Sequence, residues 1–294
     1  MFMKCNICPR NCNVDRKNAK GFCNSGDKII ISKVMLHYFE EPILTGGEDK
    51  PSGAIFFAGC NLKCVYCQNF DISHNAVGKE VSKEELIQII KKLEHLGAEN
   101  IDLITPTHFT SQIVDALKSY KPKVPVIWNT GGYEDAETIK QLDGLVDIFL
   151  TDFKYADDAL AISYSKAPNY VKNAKNALTE MKKQQNSNIF EKNKLIKGIV
   201  VRHLVLPSHA KDSIKVLDIV KDICGSDTIV SIMAQYTPMA PNLPSELNRK
   251  ITPLEYKTVV NHALKVGLNN ALTQELSSAS SCYTPNFKEK IIEI

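Results

Sequence analysis

The chain of 294 residues is long enough for one large domain or two modest ones, and its 44% of hydrophobic residues predicts a sizeable core. A formal net charge of +3, with scattered basic residues and no aromatic–basic platform, argues against a nucleic-acid-binding protein. No apolar run is long enough to cross a membrane, and the N-terminus lacks the apolar segment of a signal peptide. We therefore expect a cytoplasmic protein that does not enter a membrane.

The chain carries nine cysteines, an odd number, and seven of them fall in two clusters. Without an export signal, such clusters indicate metal ligands in a reducing compartment rather than disulfides. The first cluster, Cys5, Cys8, Cys12 and Cys23, lies in a segment with little else to form a core. Four thiolates complete either a closed zinc site or a full iron–sulfur cube, so the segment is predicted to bind zinc or a second iron–sulfur cluster. The alternative is a flexible tail with free thiols.

Two short stretches follow this cluster. Residues 28–39 predict one or two strands, in which His37 alternates with apolar side chains and is expected to be a core histidine. Residues 40–48 predict a loop, and the Gly-Gly-Glu string at 46–48 is interpreted as a solvated turn.

The second cluster is the densest motif of the chain. Residues 54–58 predict a buried strand, Gly59 permits a sharp turn, and Cys60, Cys64 and Cys67 follow on one loop. A [4Fe–4S] cube has four irons, so three thiolates leave one iron open for a small molecule. The alternatives are a zinc site, which usually shows paired C-x-x-C elements, and three buried free thiols.

After this loop the chain alternates strands and helices. Six strands are predicted to open near residues 54, 101, 124, 146, 198 and 228. Helices are predicted at 82–97, 111–120, 134–142, 156–185 with a break at Pro168, 211–224 and 253–266, and the polar stretch 184–194 is predicted to be a surface loop. The alternation implies right-handed crossovers and a parallel sheet whose site lies at the C-terminal strand ends.

Polar residues recur at the ends of the predicted strands, and these are the candidate cofactor-binding residues. They are Tyr66, Thr107, Asn129, Asp152, Lys154, Arg202 and Gln235, with His108 and Tyr236 as further candidates. Arginine and lysine can pair with a ligand carboxylate, aspartate and asparagine can hydrogen-bond hydroxyl groups, and tyrosine can pack against a flat ring. Alternatively, Arg202 and Asp152 form a buried structural ion pair, and His203 faces away from the site to pack against a helix.

The string Gly59-Cys-Asn-Leu-Lys-Cys-Val-Tyr-Cys-Gln-Asn69 resembles the signature of the radical S-adenosylmethionine (SAM) superfamily. It is most similar to the pyruvate formate-lyase activating enzymes, in particular their PflX-like branch, which also shows the Cys-Pro-Arg-x-Cys pattern at Cys8–Cys12. The resemblance implies an α/β fold, an incomplete (β/α)6 TIM-like barrel with a small cysteine-rich N-terminal extension. It also implies a [4Fe–4S] cluster on Cys60, Cys64 and Cys67, whose open iron chelates SAM.

The resemblance further assigns roles at the strand ends. Asn129, Asp152, Lys154 and Arg202 match positions that contribute to SAM binding in the family. The family also uses Gly-Gly-Glu after the second barrel strand to hold the SAM amino group, whereas this chain has Thr-Pro-Thr-His there, so Thr107 is a substitute candidate and His108 can instead face the substrate.

The functional prediction is a radical SAM oxidoreductase that cleaves SAM reductively to a 5′-deoxyadenosyl radical, with flavodoxin or ferredoxin as reductant and a glycyl-radical enzyme as the protein activated. Direct modification of a small molecule or peptide is the alternative, and a non-enzymatic iron–sulfur carrier or zinc module is the third. The predicted domains are the cysteine-rich segment 1–50, the barrel 51–245 and a C-terminal helical extension 246–294.

Overall fold

A parallel β-sheet with helices along its outer face forms the framework of the protein. The computed structural model describes residues 4–239 and 242–279, together with Phe287 and Ile291. The strands are β1 Ile29–His37, β2 Ser52–Phe57, β3 Lys79–Val81, β4 Ile101–Ile104, β5 Val126–Thr130, β6 Ile148–Asp152, β7 Ile189–Glu191, β8 Lys194–Leu204, β9 Ile229–Met233 and β10 Ala271–Thr273.

The helices lie between these strands. They are α1 Pro42–Thr45, α2 Phe70–Asn75, α3 Lys83–His95, α4 Thr110–Ser119, α5 Ala136–Lys140, α6 Asp158–Ser165, α7 Tyr170–Gln184, α8 Ala210–Cys224 and α9 Pro253–Lys265, with short 3-10 turns at Thr107–Phe109, Ser245–Leu247 and Leu276–Ser278. Helix α3 starts at the predicted capping box of Ser82 and Glu85 and buries an apolar stripe against the sheet. The predicted break at Pro168 separates α6 from α7.

The strand order confirms the predicted fold class. In the sheet order β10-β9-β8-β6-β5-β4-β2-β1-β3, all neighbours from β10 to β2 run parallel, and β1 and β3 are antiparallel additions at one edge. The six predicted strands correspond to β2, β4, β5, β6, β8 and β9, and the sheet does not close on itself. The fold is therefore an α/β fold with an incomplete (β/α)6 TIM-like barrel.

The structure differs from the sequence-based prediction in two segments. The polar stretch 184–194, predicted to be a loop, contains β7, which pairs antiparallel with β8. The C-terminal extension, predicted to be helical, contributes β10, which pairs with β9. In both cases pairing with a neighbouring strand supplies backbone partners that the local sequence does not reveal.

Side-chain alternation along the central strands decides what faces the interior of the partial barrel. Ile127, Leu150 and Val200 pack in a small apolar cluster on the inner face, together with Leu44 of α1. Because side chains alternate in a strand, Asn129, Asp152 and Arg202 lie two residues further along on this same face. Their intervening neighbours pack outward beneath the helices. The pleat therefore places polar groups directly above an apolar floor.

Candidate functional site

A cavity of about 740 Å³ opens at the C-terminal ends of the strands. Its lining includes most of the predicted site residues, namely Cys64, Tyr66, Cys67, Asn129, Asp152, Lys154, Arg202 and Gln235. The volume lies within the range of pockets that bind small molecules and cofactors. A second cavity of about 610 Å³, lined by Ile43, Lys182 and Asn270 among others, contains none of the predicted residues. The C-terminal cavity is therefore the candidate functional site.

Residues 60–67 carry the three cysteines and are called here the cluster loop. The residue before this loop is a glycine, Gly59, that no other residue can replace without strain. Gly59 has a φ of +86°, and a Cβ atom there would lie 2.3 Å from the carbonyl oxygen of Cys23. The loop is then tied to the α6 end by hydrogen bonds from the Lys63 amide to Ser165 and from the Val65 amide to Tyr164. These contacts hold Cys64 and Cys67 at the cavity wall, whereas Cys60 is not among the lining residues.

Each thiol of the cluster loop has a polar hydrogen-bonding neighbour. The Leu62 amide donates to the Cys60 sulfur at 3.4 Å, and the Ser73 hydroxyl lies 3.3 Å from the Cys67 sulfur. The Ser165 hydroxyl lies 3.0 Å from the Cys64 sulfur. Hydrogen bonds of this kind stabilise a metal-bound thiolate and adjust its electronic properties.

Burial keeps the Cys60 and Cys67 thiols protonated when no metal is bound. It raises the pKa of Cys60 to about 12 and that of Cys67 to about 11, and in both cases the charge of Cys64 adds to the effect. Lys63 near Cys60 and Lys154 near Cys67 act in the opposite direction. A metal that binds here must displace the protons, which makes occupancy dependent on pH. The thiols, donors and nearby cations fit a buried anionic iron–sulfur cluster.

Within the described ranges, no group of three or more His, Cys, Asp or Glu side chains is arranged so that it could hold a metal ion.

Asp152 joins two cations on the inner face of the sheet. Its carboxylate accepts from Arg202 Nε at 3.0 Å and from Lys154 Nζ at 2.5 Å. Burial alone would raise the pKa of Asp152, but Lys154 and Arg202 outweigh that effect and hold it below its ordinary value. Arg202 also donates to the Asn129 side-chain oxygen at 2.6 Å. The alternative considered for Arg202 and Asp152, a buried ion pair, is therefore present, and it forms part of the cavity wall.

Two carboxyl groups that the sequence analysis did not single out lie beside this network. Asp102 in β4 accepts from the Asn129 amide at 3.1 Å, and its other oxygen has no partner among the described residues. Glu40, from the loop after β1, lines the cavity, and its pKa is raised by burial although Arg202 opposes the shift. Burial, and then Glu40, raise the pKa of Asp102 well above its ordinary value. The sequence signal that could have identified Asp102 is its position as a charged residue within an otherwise apolar strand.

Tyr66 belongs to a chain of hydroxyl groups that ends at Cys64. The hydroxyls of Tyr66 and Tyr155 lie 2.5 Å apart, and that of Tyr155 lies 2.6 Å from Ser165. A thiolate only accepts hydrogen bonds, so the Ser165 hydroxyl donates to Cys64 when metal is bound. Ser165 then accepts a hydrogen bond from Tyr155, and Tyr155 accepts one from Tyr66. Tyr236, also considered for the site, is buried edge-on against Tyr66 and donates to the Leu247 carbonyl.

Thr107 and His108 do not line the cavity. The Thr107 hydroxyl donates to the buried carboxylate of Glu134, as does the Thr130 hydroxyl. His108 Nε2 lies 2.7 Å from the Ala58 carbonyl oxygen and is buried. The 3-10 turn at Thr107–Phe109 therefore directs both side chains away from the polar network on the inner face.

The N-terminal thiols lie next to the cluster loop. Cys12 and Cys23 both place their sulfur atoms around Gly21, and the Cys23 carbonyl packs against Gly59. Arg10 donates from Nε to the Asn61 carbonyl in the cluster loop at 2.8 Å. The two groups of thiols, which are far apart in sequence, are thus neighbours in the fold.

The profile of the radical SAM superfamily matches residues 54–217. An uncharacterised protein of Methanocaldococcus jannaschii is 30% identical over 284 residues, covering 92% of this chain and 77% of that protein. Pyruvate formate-lyase-activating enzyme of Clostridium pasteurianum is 28% identical over 116 residues, covering 35% of this chain and 46% of that enzyme.

Among solved structures, Streptococcus suis SuiB bound to the precursor peptide SuiA matches with a TM-score of 0.51 at 12% identity. The match covers 75% of this chain, which spans only 48% of the SuiB chain, so it supports the fold alone. No helix in the described residues is long and apolar enough to cross a membrane. The profile match covers more than half of the 294 residues and includes the cluster loop and the ends of β4, β5, β6 and β8. The chain belongs to the radical SAM superfamily.

Proposed function

We propose that Cys60, Cys64 and Cys67 hold a [4Fe–4S] cluster with one open iron, and that SAM binds beside it in the cavity at the strand ends. The observation that carries this proposal is the meeting of Cys64 and Cys67 with Asn129, Lys154 and Arg202 on one cavity wall. When bound, the cluster and SAM supply a one-electron cleavage of the C5′–S bond that yields methionine and a 5′-deoxyadenosyl radical.

The side chains around the cavity suggest how SAM is oriented. Lys154 and Arg202 share the single carboxylate of Asp152, which leaves a positive charge that suits the SAM carboxylate. Glu40 lines the cavity beside Asp102, so its carboxyl group can accept from the SAM amino group. This arrangement would replace the Gly-Gly-Glu string that is missing after the second barrel strand. Tyr66 and Gln235 complete the wall.

For the target, we propose a glycine of a partner glycyl-radical enzyme, with flavodoxin or ferredoxin as the reductant. The similarity to the Clostridium pasteurianum activating enzyme supports this choice. The test is anaerobic reconstitution with iron, sulfide and SAM, followed by reduction and quantification of 5′-deoxyadenosine. Adding a glycyl-radical enzyme should produce a glycyl radical detectable by electron paramagnetic resonance (EPR). If no glycyl radical forms with any such enzyme of the source cell, the proposed target is wrong.

The Cys64→Ala variant provides the residue-level test of the proposal. It should abolish deoxyadenosine formation because the cluster loses one of its three thiolates. Cys224→Ala, which removes a buried thiol from the core outside both clusters, should retain SAM cleavage and serves as the matched control. Full activity of Cys64→Ala would contradict the cluster assignment.

A second candidate is direct modification of a cationic peptide or small molecule. Four carboxyl groups line the cavity in addition to Asp152, namely Glu40, Glu41, Glu48 and Glu275. An acidic opening favours positively charged ligands. Deoxyadenosine formation that is stimulated by a basic peptide, without any glycyl radical, would favour this candidate over the first.

A further inference from the structure

We propose that Cys5, Cys8, Cys12 and Cys23 bind a second iron–sulfur cluster, with all four corners held by the protein. This inference concerns a site outside the SAM cavity and does not depend on the proposed function. The chemistry it assigns is electron transfer without substrate binding, because four thiolates leave no iron open.

The N-terminal loops are folded around the sulfur atoms. The Cys5 amide donates to the Val14 carbonyl, and the Asn13 amide donates back to Cys5, which closes one loop. Three asparagines, Asn11, Asn13 and Asn24, adopt left-handed φ values of 43°, 55° and 63° that turn the chain at each bend. Such a backbone is ordered by specific contacts rather than by an apolar core.

Three of the four thiols, those of Cys8, Cys12 and Cys23, lie near one another. A Cβ atom at Gly21 would lie 3.5 Å from the Cys12 sulfur and 3.6 Å from the Cys23 sulfur, so both sulfurs border this glycine. The Phe22 amide donates to the Cys12 sulfur at 3.3 Å. Cys8 is buried, and both Cys12 and Cys23 contribute to its electrostatic surroundings. The fold thus brings together Cys8, Cys12 and Cys23, which the sequence separates by up to fifteen positions, and Cys5 lies three positions before Cys8 in the sequence.

A buried cation supplies an independent reason to expect a negative charge here. The Arg16 side chain is 8% exposed, and its Nε and Nη2 atoms have no hydrogen-bond partner among the described residues. Within the part of the chain that the structure describes, only Nη1 makes a hydrogen bond, to the His108 carbonyl. A buried guanidinium normally has all its donors paired, and the charge of Arg16 acts on Cys23. Thiolates on a cluster would provide the anionic acceptors that Arg16 lacks.

The position of the site favours iron–sulfur chemistry over a zinc ion. Arg10 donates to Asn61 and is in electrostatic contact with Cys8 and Cys12 of one group and with Cys60 of the other. Gly59, the residue before Cys60, packs against the Cys23 carbonyl. A structural zinc ion only has to cross-link its own loops. An electron-transfer centre, in contrast, must lie close to the centre with which it exchanges electrons, and the N-terminal thiols lie next to the cluster loop.

The test isolates the N-terminal site in a triple variant, Cys60→Ala with Cys64→Ala and Cys67→Ala. After anaerobic reconstitution with iron and sulfide, this protein should retain about four irons per chain and show the EPR signal of a reduced cluster, unchanged by SAM. About one zinc per chain after expression, with no cluster formed, would overturn the proposal in favour of a structural ion. Absence of any bound metal would overturn it as well.

Variants of the full chain complete the test. The unmodified protein and Cys224→Ala should each bind about eight irons, and Cys12→Ala with Cys23→Ala should bind about half as many. Arg16→Met should weaken iron retention at the N-terminal site by about tenfold or more, as loss of a supporting contact commonly does. These experiments measure metal content and spectra and do not measure SAM cleavage. A protein that cleaves no SAM can therefore still bind the second cluster, and a protein without the second cluster can still cleave SAM.

Discussion

The Ser165 hydroxyl lies 3.0 Å from the Cys64 sulfur and is the clearest single-residue influence on the cluster loop. A hydrogen bond to a cluster thiolate withdraws electron density and raises the reduction potential. Ser165 is buried, so no water replaces its hydroxyl when it is removed.

Ser165→Ala should therefore lower the reduction potential of the SAM-binding cluster by on the order of 50 mV, which corresponds to about one hydrogen bond of 1 kcal/mol for one electron. Redox titration followed by EPR measures the shift. Ser213→Ala is the control, because that buried serine donates to the His209 carbonyl in α8 rather than to a thiol. Equal potentials in both variants would show that Ser165 does not adjust the cluster.

Glu134 makes stability depend on pH. Burial raises its pKa from 4.5 to about 7, although the hydroxyls of Thr107 and Thr130 donate to it. The folded state thus favours the neutral acid, and the stability that this confers is fully present below pH 4.5 and is lost as the pH rises through about 7.

Glu134→Gln should remove this pH dependence, which amounts to about 3 kcal/mol between the two limits. The free energy of unfolding, measured by urea titration at several pH values, should fall from pH 4.5 to 8 in the unmodified protein more steeply than in the variant. Parallel curves would mean that Glu134 ionises normally in the folded protein. The same replacement at Glu137, which is exposed, should leave the slope unchanged.

At the scale of elements, the junction of β2 with the cluster loop depends on a close approach to the N-terminal segment. Gly59 and Gly97 have nearly the same positive φ, +86° and +87°. A Cβ atom at Gly97 meets nothing within 4 Å, whereas one at Gly59 would clash with the Cys23 carbonyl. The pair therefore separates backbone strain from steric overlap.

Gly97→Ala should cost about 1 kcal/mol of stability from the left-handed backbone alone. Gly59→Ala should cost several times more and should also reduce iron binding, because the cluster loop and the N-terminal segment must move apart. Urea unfolding and iron analysis on the two variants measure the difference. Similar stability and iron content in both would contradict the tight contact between the two thiol groups.

At the scale of the whole molecule, the N-terminal segment is attached to the barrel through few apolar contacts. Its backbone bends at asparagines, and its sulfur atoms take the place of a hydrophobic core. Metal binding is expected to supply the free energy that orders such a segment.

Limited proteolysis should detect this coupling. Lys17 and Lys20 are exposed in the N-terminal segment, and trypsin should cleave there at least about tenfold faster in metal-free than in reconstituted protein, because cleavage requires local unfolding. Lys192, exposed in the turn between β7 and β8, is the internal control and should be cut at the same rate in both forms. Equal protection at Lys17 and Lys20 would show that the segment folds without metal.

The amino-acid sequence by itself determined the repeating parts of this protein. Hydrophobic periodicity located the six parallel strands, and the capping box at Ser82 located the start of α3. Cysteine spacing singled out the cluster loop as the proposed iron–sulfur site, because three thiols in eight residues can reach one metal centre. Alternation in β5, β6 and β8 was enough to place Asn129, Asp152 and Arg202 on one cavity wall.

Only the tertiary structure decided the contacts between distant segments. Thr107 was predicted to face the cofactor, yet the 3-10 turn directs it to Glu134, and no local pattern specifies that direction. Strands β7 and β10 exist because neighbours pair with them, and Glu40 reaches the cavity because the loop after β1 passes over it. Periodicity records which face of an element is buried, whereas the partner of a side chain depends on how elements are packed.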